Sequence, residues 1–84
     1  MNEVLIGSIT LFAGSFEPVG WMFCDGRLLS PSQYQQLCSI ISNTYGGDGQ
    51  TTFALPNLPP VAAVGGKRTL RYIINLHGAY PSRP

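Results

Sequence analysis

Charge is what this 84-residue chain has least of: five Lys or Arg and four Asp or Glu, for a net charge of +1. No field of one sign spans it to draw in nucleic acid, and no sequence pattern of a DNA or RNA reader is present. Histidine is scarcer still, since His77 stands alone. Any catalytic arrangement built on an imidazole must use that residue, and no serine is flanked as in a nucleophile elbow. The acids Glu3, Glu17, Asp25 and Asp48 are scattered, with no two spaced as an acid–base pair. Cys24 and Cys38 are the only cysteines, and one pair does not make a disulfide scaffold. Both lie in apolar stretches, so two buried thiols are the first reading and a single disulfide the second. A metal site needs more ligands than their neighbourhood supplies. Apolar runs are short: none approaches the ~20 residues that cross a bilayer. Glu3, Gly7, Ser8 and Thr10 interrupt the N-terminal run, so no signal peptide is read there. These absences point away from an enzyme and imply neither cofactor nor metal. His77 is expected on a surface or interface; only its repetition about a threefold axis would gather enough imidazoles for a metal.

Turn formers are abundant, with ten glycines and seven prolines. A chain this short buries only roughly 60–65% of its extended surface, and such chains commonly gain stability by oligomerising. Expected strands are Val4–Ala13, Trp21–Cys24, Arg27–Leu29, Phe53–Leu55, Val61–Val64 and Thr69–Leu76, from their β-branched and aromatic content. Gly7 marks a bulge or a close backbone approach within the first. Asp25-Gly26 carries the signal of a two-residue hairpin turn joining the second strand to the third. One helix is expected over about 31–41. Ser30 serves as its N-cap, Pro31 as its first residue and Gln33 as the far side of a capping box. Tyr34, Leu37, Cys38 and Ile41 form the inward stripe. The loop Gly46-Gly47-Asp48-Gly49 lacks the Gly-Lys-Ser/Thr of a phosphate-binding loop, and Asp48 is read as a turn former. The last strand sets Leu70, Tyr72, Ile74 and Leu76 on one face and Arg71, Ile73 and Asn75 on the other. The fold class is therefore α+β, mainly β: one short helix, extended Gly/Pro-rich loops, and a core completed by oligomerisation.

Two blocks stand out. Gly20-Trp21-Met22-Phe23-Cys24-Asp25-Gly26 and Thr44-Tyr45-Gly46-Gly47-Asp48-Gly49-Gln50-Thr51-Thr52-Phe53-Ala54-Leu55-Pro56-Asn57-Leu58 place bulky apolar residues between glycine and aspartate. With Gly7–Gly14 before them and the Ser30–Ile41 segment between them, they resemble the phage tail-collar domain, a family of tail-fibre and microcystin-dependent-type proteins. The resemblance covers about residues 1–65. Residues 66–84 resemble the closing strand and Pro-Ser-Arg tail of short bacterial members, without the long glycine-rich region those members usually insert. On that basis 1–84 is a single collar-like domain. Trp21, Cys24, Asp25, Gly26, Ser30, Gly46, Gly47, Asp48, Gly49, Phe53 and Pro56 are its structural motif residues.

The resemblance implies a non-enzymatic structural protein that often assembles about a threefold axis. The composition adds a reason of its own, because exposed strand edges are templates for pairing. The first and last strands are expected to pair with each other or with a neighbouring copy, which makes Ile6, Ile9, Leu11, Tyr72, Ile74 and Leu76 the assembly candidates. The expected partner is the chain itself, as a homotrimer or filament, together with other tail or baseplate proteins. The expected location is a virion tail or the extracellular surface. The alternative is a small module binding cell-surface glycans through Tyr45 and Tyr80 with Lys67, Arg68 and Arg71, or a baseplate adaptor.

Overall fold

The computed structural model describes residues 4–62 and 69–81. Its elements in order are β1 (Ile9–Phe12), β2 (Trp21–Phe23), β3 (Leu28–Leu29), α1 (Gln35–Ile41), β4 (Phe53–Ala54), β5 (Val61–Ala62) and β6 (Thr69–Asn75). The fold is mainly β with one short helix, as the sequence implies. β6 is the organiser. It pairs antiparallel with β1 on one side (Ile9 opposite Ile74, Leu11 opposite Tyr72) and with β2 on the other (Met22 opposite Ile74), and β5 pairs with its first residues. β3 and β4 form a separate two-stranded ribbon. The two end strands thus pair within one chain.

The expected first strand, Val4–Ala13, is broken at Gly7. The Gly7 N–H donates to the Asn75 carbonyl at 2.9 Å, while the Asn75 N–H donates to the Ser8 carbonyl at 2.9 Å. Two residues oppose one, with Gly7 at φ 85°, which is a glycine-type β-bulge. Upstream of it, Leu5 makes a parallel bridge to Ala79. The amide of Asn75, a buried polar residue, donates to the Val4 and Leu5 carbonyls at 3.3 and 3.1 Å and so ties the N-terminal segment to the end of β6.

The Asp25-Gly26 hairpin is not formed. β2 runs to β6 and β3 to β4, because the segment 53–58 occupies both sides of the turn. Leu58 N–H donates to the Cys24 carbonyl at 2.9 Å and Leu55 N–H to the Arg27 carbonyl at 3.0 Å. Asp25 instead folds the turn upon itself, accepting from Arg27 N–H at 3.1 Å, and bridges to Asn57.

The helix also starts later than its capping signals suggest. The Ser30 carbonyl accepts from both Gln33 and Tyr34 N–H groups at 3.1 Å, which closes Pro31–Gln33 as a turn. The Ser30 hydroxyl is turned to that of Ser32 at 2.8 Å, and the N-cap position falls on Tyr34 with no side-chain cap. Ser30 is therefore not an N-cap and Gln33 closes no capping box. The inward stripe is as expected: Leu37 is buried, with Tyr34, Cys38 and Ile41 packed partly buried against the core. That core comprises Ile6, Cys24, Leu37, Phe53, Leu55 and Ile74. The last strand departs from a one-sided pattern, since Ile73 and Asn75 are buried along with Ile74.

Candidate assembly surface

Of the three strands that flank β6, the two longer ones, β1 and β2, differ at their free edges. In an antiparallel ladder, residues that bond their partner alternate with residues whose backbone groups point away. Across β2 and β6, Cys24 N–H donates to the Tyr72 carbonyl and Leu76 N–H to the Gly20 carbonyl. Trp21 and Phe23 therefore point their backbone outward, and both outward N–H groups are taken. Trp21 N–H donates to the Pro18 carbonyl at 3.0 Å, and Phe23 N–H to the Glu17 carboxylate at 2.7 Å. The same carboxylate pairs with the Arg27 guanidinium at 2.8 Å. Arg27 in turn grips both carboxylate oxygens of Asp25, at 3.0 and 2.9 Å, and this grip holds the Asp25 carboxyl below the usual carboxylate range. The loop between β1 and β2 thus folds back as a cap on the β2 edge.

The β1 edge has no such cap among the described residues. The bulge sets its phase. Ser8 bonds Asn75, so Thr10 and Phe12 face β6 and the backbone groups of Ile9 and Leu11 point outward. Their side chains are 40% and 42% exposed. The strand Ile9-Thr10-Leu11-Phe12 carries neither charge nor proline, the usual devices that blunt an edge. Exposed apolar residues flank it: Val4 and Leu5 before it, then Phe16 and Val19 in the following loop. Phe16 meets Phe12 edge to face with ring centroids 6.1 Å apart.

The other assembly candidates are placed differently. Ile6 and Ile74 lie in the chain's own core, and Tyr72 and Leu76 pack partly buried against it. The glycan candidates do not converge on one groove. Arg71 stacks its guanidinium 3.7 Å above the Phe23 ring, and Lys67 and Arg68 lie outside the described residues. Tyr45 is half-exposed, and Tyr80 exposes about as much while its hydroxyl sits 2.6 Å from that of Ser39. Neither tyrosine lines the groove of about 300 Å³ beside α1, formed by Ser32–Leu37, Leu76 and His77.

The glycine loop is organised by Asp48. Its carboxylate accepts from the hydroxyl and N–H of Thr51 and from the N–H groups of Gln50 and Thr52. These donors, the Thr51 hydroxyl foremost, hold its pKa far below the usual carboxylate range. Gly47 has φ 85°, and a Cβ there would stand 2.6 Å from the Thr52 carbonyl oxygen. The loop delivers Phe53 and Leu55 to the core, both fully buried, with Pro56 buried beside them.

Cys24 and Cys38 are free. Burial, with the Asp25 charge nearby, pushes the Cys24 thiol up to about 11. Among the described residues, no three His, Cys, Asp or Glu side chains gather as metal ligands, and no helix is long and apolar enough to cross a membrane. The Glu17 cap escaped the sequence reading; the one available signal was a carboxylate two residues before a Val-Gly turn into a strand.

Comparison with known proteins gives one family. The model described as Phage Tail Collar Domain matches residues 7–60, more than half of the chain. No curated protein matches.

Proposed function

Because this chain belongs to the phage tail collar domain family, whose members are structural rather than catalytic tail-fibre domains, we propose that it is a non-enzymatic structural subunit that associates with copies of itself into a homo-oligomer or fibre, as a component of a phage tail or extracellular fibre. Residues 1–84 act in this reading as one collar-like unit, the family motifs followed by a closing strand at 66–84. The observation that supports it best is the pair of unlike edges. The β2 edge is capped by its own loop, and the β1 edge presents Ile9 and Leu11 with outward backbone groups and exposed apolar side chains. An edge of that kind is a template for another strand. Of the assembly candidates, Ile9 and Leu11 carry the contact, while Ile6 and Ile74 support it by holding the fold. The assembly belongs in a virion tail or an extracellular fibre, with other tail or baseplate proteins as further partners.

Leu11→Lys tests this reading. Leu11 is exposed, so the variant keeps its helix and its thermal unfolding temperature, and its mass in solution falls relative to the wild-type oligomer. An unchanged oligomer mass would overturn the role given to this edge. The glycan-binding alternative has less support, because Arg71 and Tyr80 are engaged within the chain.

A further inference from the structure

Resting on the self-association reading, we propose that the β1 edge pairs antiparallel with the β1 edge of a second copy about a twofold axis through Thr10. Three observations lead there. First, the partner must supply a strand edge, because what β1 offers outward is a row of backbone donors and acceptors. Second, the β2 edge of another copy cannot be that partner: its outward N–H groups at Trp21 and Phe23 already bond Pro18 and Glu17. Extension of the sheet through β2 is blocked, β5 offers only the two residues Val61 and Ala62, and the edge of this sheet that matches the four residues of β1 is β1 itself. Third, the register follows from the bulge. With the backbone groups of Ile9 and Leu11 facing out and the strand ending at Phe12, the register that pairs both outward residues within the strand sets Ile9 of each copy opposite Leu11 of the other. Each such pair exchanges two hydrogen bonds. Thr10 meets its own copy on the axis as a non-bonded pair, an arrangement favourable for threonine. A register shifted toward the N-terminus fails, because the Gly7 N–H is committed to Asn75.

An interface of this type is isologous and closes on itself. A strand of four residues buries far less than the ~1,200 Å² of a stable interface. The pairing is therefore a weak, concentration-dependent contact, which becomes lasting only where another surface already aligns the copies. It joins two four-stranded sheets into one continuous sheet rather than making a chain of them.

Thr10→Cys in a Cys38→Ser background tests the register. Thr10 is exposed, and Cα atoms of a non-bonded antiparallel pair lie about 4.5 Å apart, within the ~4.4–6.8 Å span of a disulfide. Under mild oxidation Thr10→Cys is expected to form a covalent dimer at least tenfold faster than Ile9→Cys, which faces Leu11 and not itself. Hydrogen exchange of the Ile9 and Leu11 amides in the wild-type chain is expected to slow severalfold as concentration rises. Equal crosslinking of the two variants would overturn the twofold register. An oligomer by light scattering whose Ile9 and Leu11 amides exchange at a concentration-independent rate would overturn the β1 pairing while leaving self-association standing. A monomer at every concentration would overturn both.

Discussion

Removing the Glu17 carboxylate should loosen the sheet at its guarded edge. In Glu17→Ala, the Phe23 N–H loses a charged acceptor at 2.7 Å, and the Arg27 guanidinium loses its contact at 2.8 Å. A hydrogen bond to a charged group contributes about 1.5–3 kcal/mol. The ion pair is about one-third exposed on each side, so solvent screening limits it to about 0–1 kcal/mol. The sum is about 1.5–4 kcal/mol. For a domain of this size each kcal/mol moves the unfolding temperature by about 4–8 °C, so a fall of roughly 6–30 °C is expected in a scan followed by circular dichroism. Glu17→Gln keeps a carbonyl acceptor for Phe23 and loses mainly the charge, so its fall should be about 5 °C. There is a second consequence. An uncapped β2 edge becomes available to the β1 edge of another copy, and head-to-tail pairing does not close, so Glu17→Ala should scatter light as open-ended aggregates below its unfolding temperature. If Glu17→Ala unfolds within about 3 °C of wild type, the cap does not guard the edge and the reasoning fails.

Further perturbations separate local devices from decoration. Ser30→Ala should change stability by less than about 0.5 kcal/mol in urea titration, against the ~1 kcal/mol of a working N-cap, because the Ser30 hydroxyl meets Ser32 rather than the helix. Asp48 has its pKa lowered in the fold, so its stabilising contribution is present above the unfolded value of about 3.9 and is lost as pH falls toward the depressed folded value. Asp48→Asn should therefore be less stable than wild type at pH 7 and lose less of its unfolding temperature between pH 5 and pH 3. In the native protein at pH 8, an aromatic disulfide reagent should label Cys38 first. The buried Cys24 thiol, pushed up to about 11, should react only at the rate of unfolding; equal labelling rates would contradict its burial.

The sequence was a good guide wherever structure is local or repeats at a fixed period. The helix stripe through Leu37, a backbone irregularity at Gly7 and the turn role of Asp48 follow from residue type and spacing, whereas the sequence left open whether the outer strands pair with each other, as they do, or with a neighbouring copy. Two local signals were overridden by distant partners. Asp25-Gly26 has the chemistry of a hairpin turn, yet Leu55 and Leu58 arrive from thirty residues on to take the carbonyls of Arg27 and Cys24. Ser30 to Gln33 has the spacing of a capping box, yet the Ser30 carbonyl closes a turn there and delays the helix to Gln35. The candidate surface was half legible. Ile9 and Leu11 read as strand residues, but which edge stays open depends on Glu17 reaching Phe23 across a loop, and no periodicity encodes that contact. Ile6 and Ile74 look the same as Ile9 in composition; their burial is decided by the Asn75 clamp and the Leu37 contact side of the sheet.

The measurement that bears most directly on the account is the solution mass of the full chain by light scattering across a concentration series, alongside Leu11→Lys. The account predicts a wild-type oligomer whose mass rises with concentration, and a Leu11→Lys variant of equal helix content and lower mass. A wild-type chain that remains a folded monomer at every concentration would contradict it.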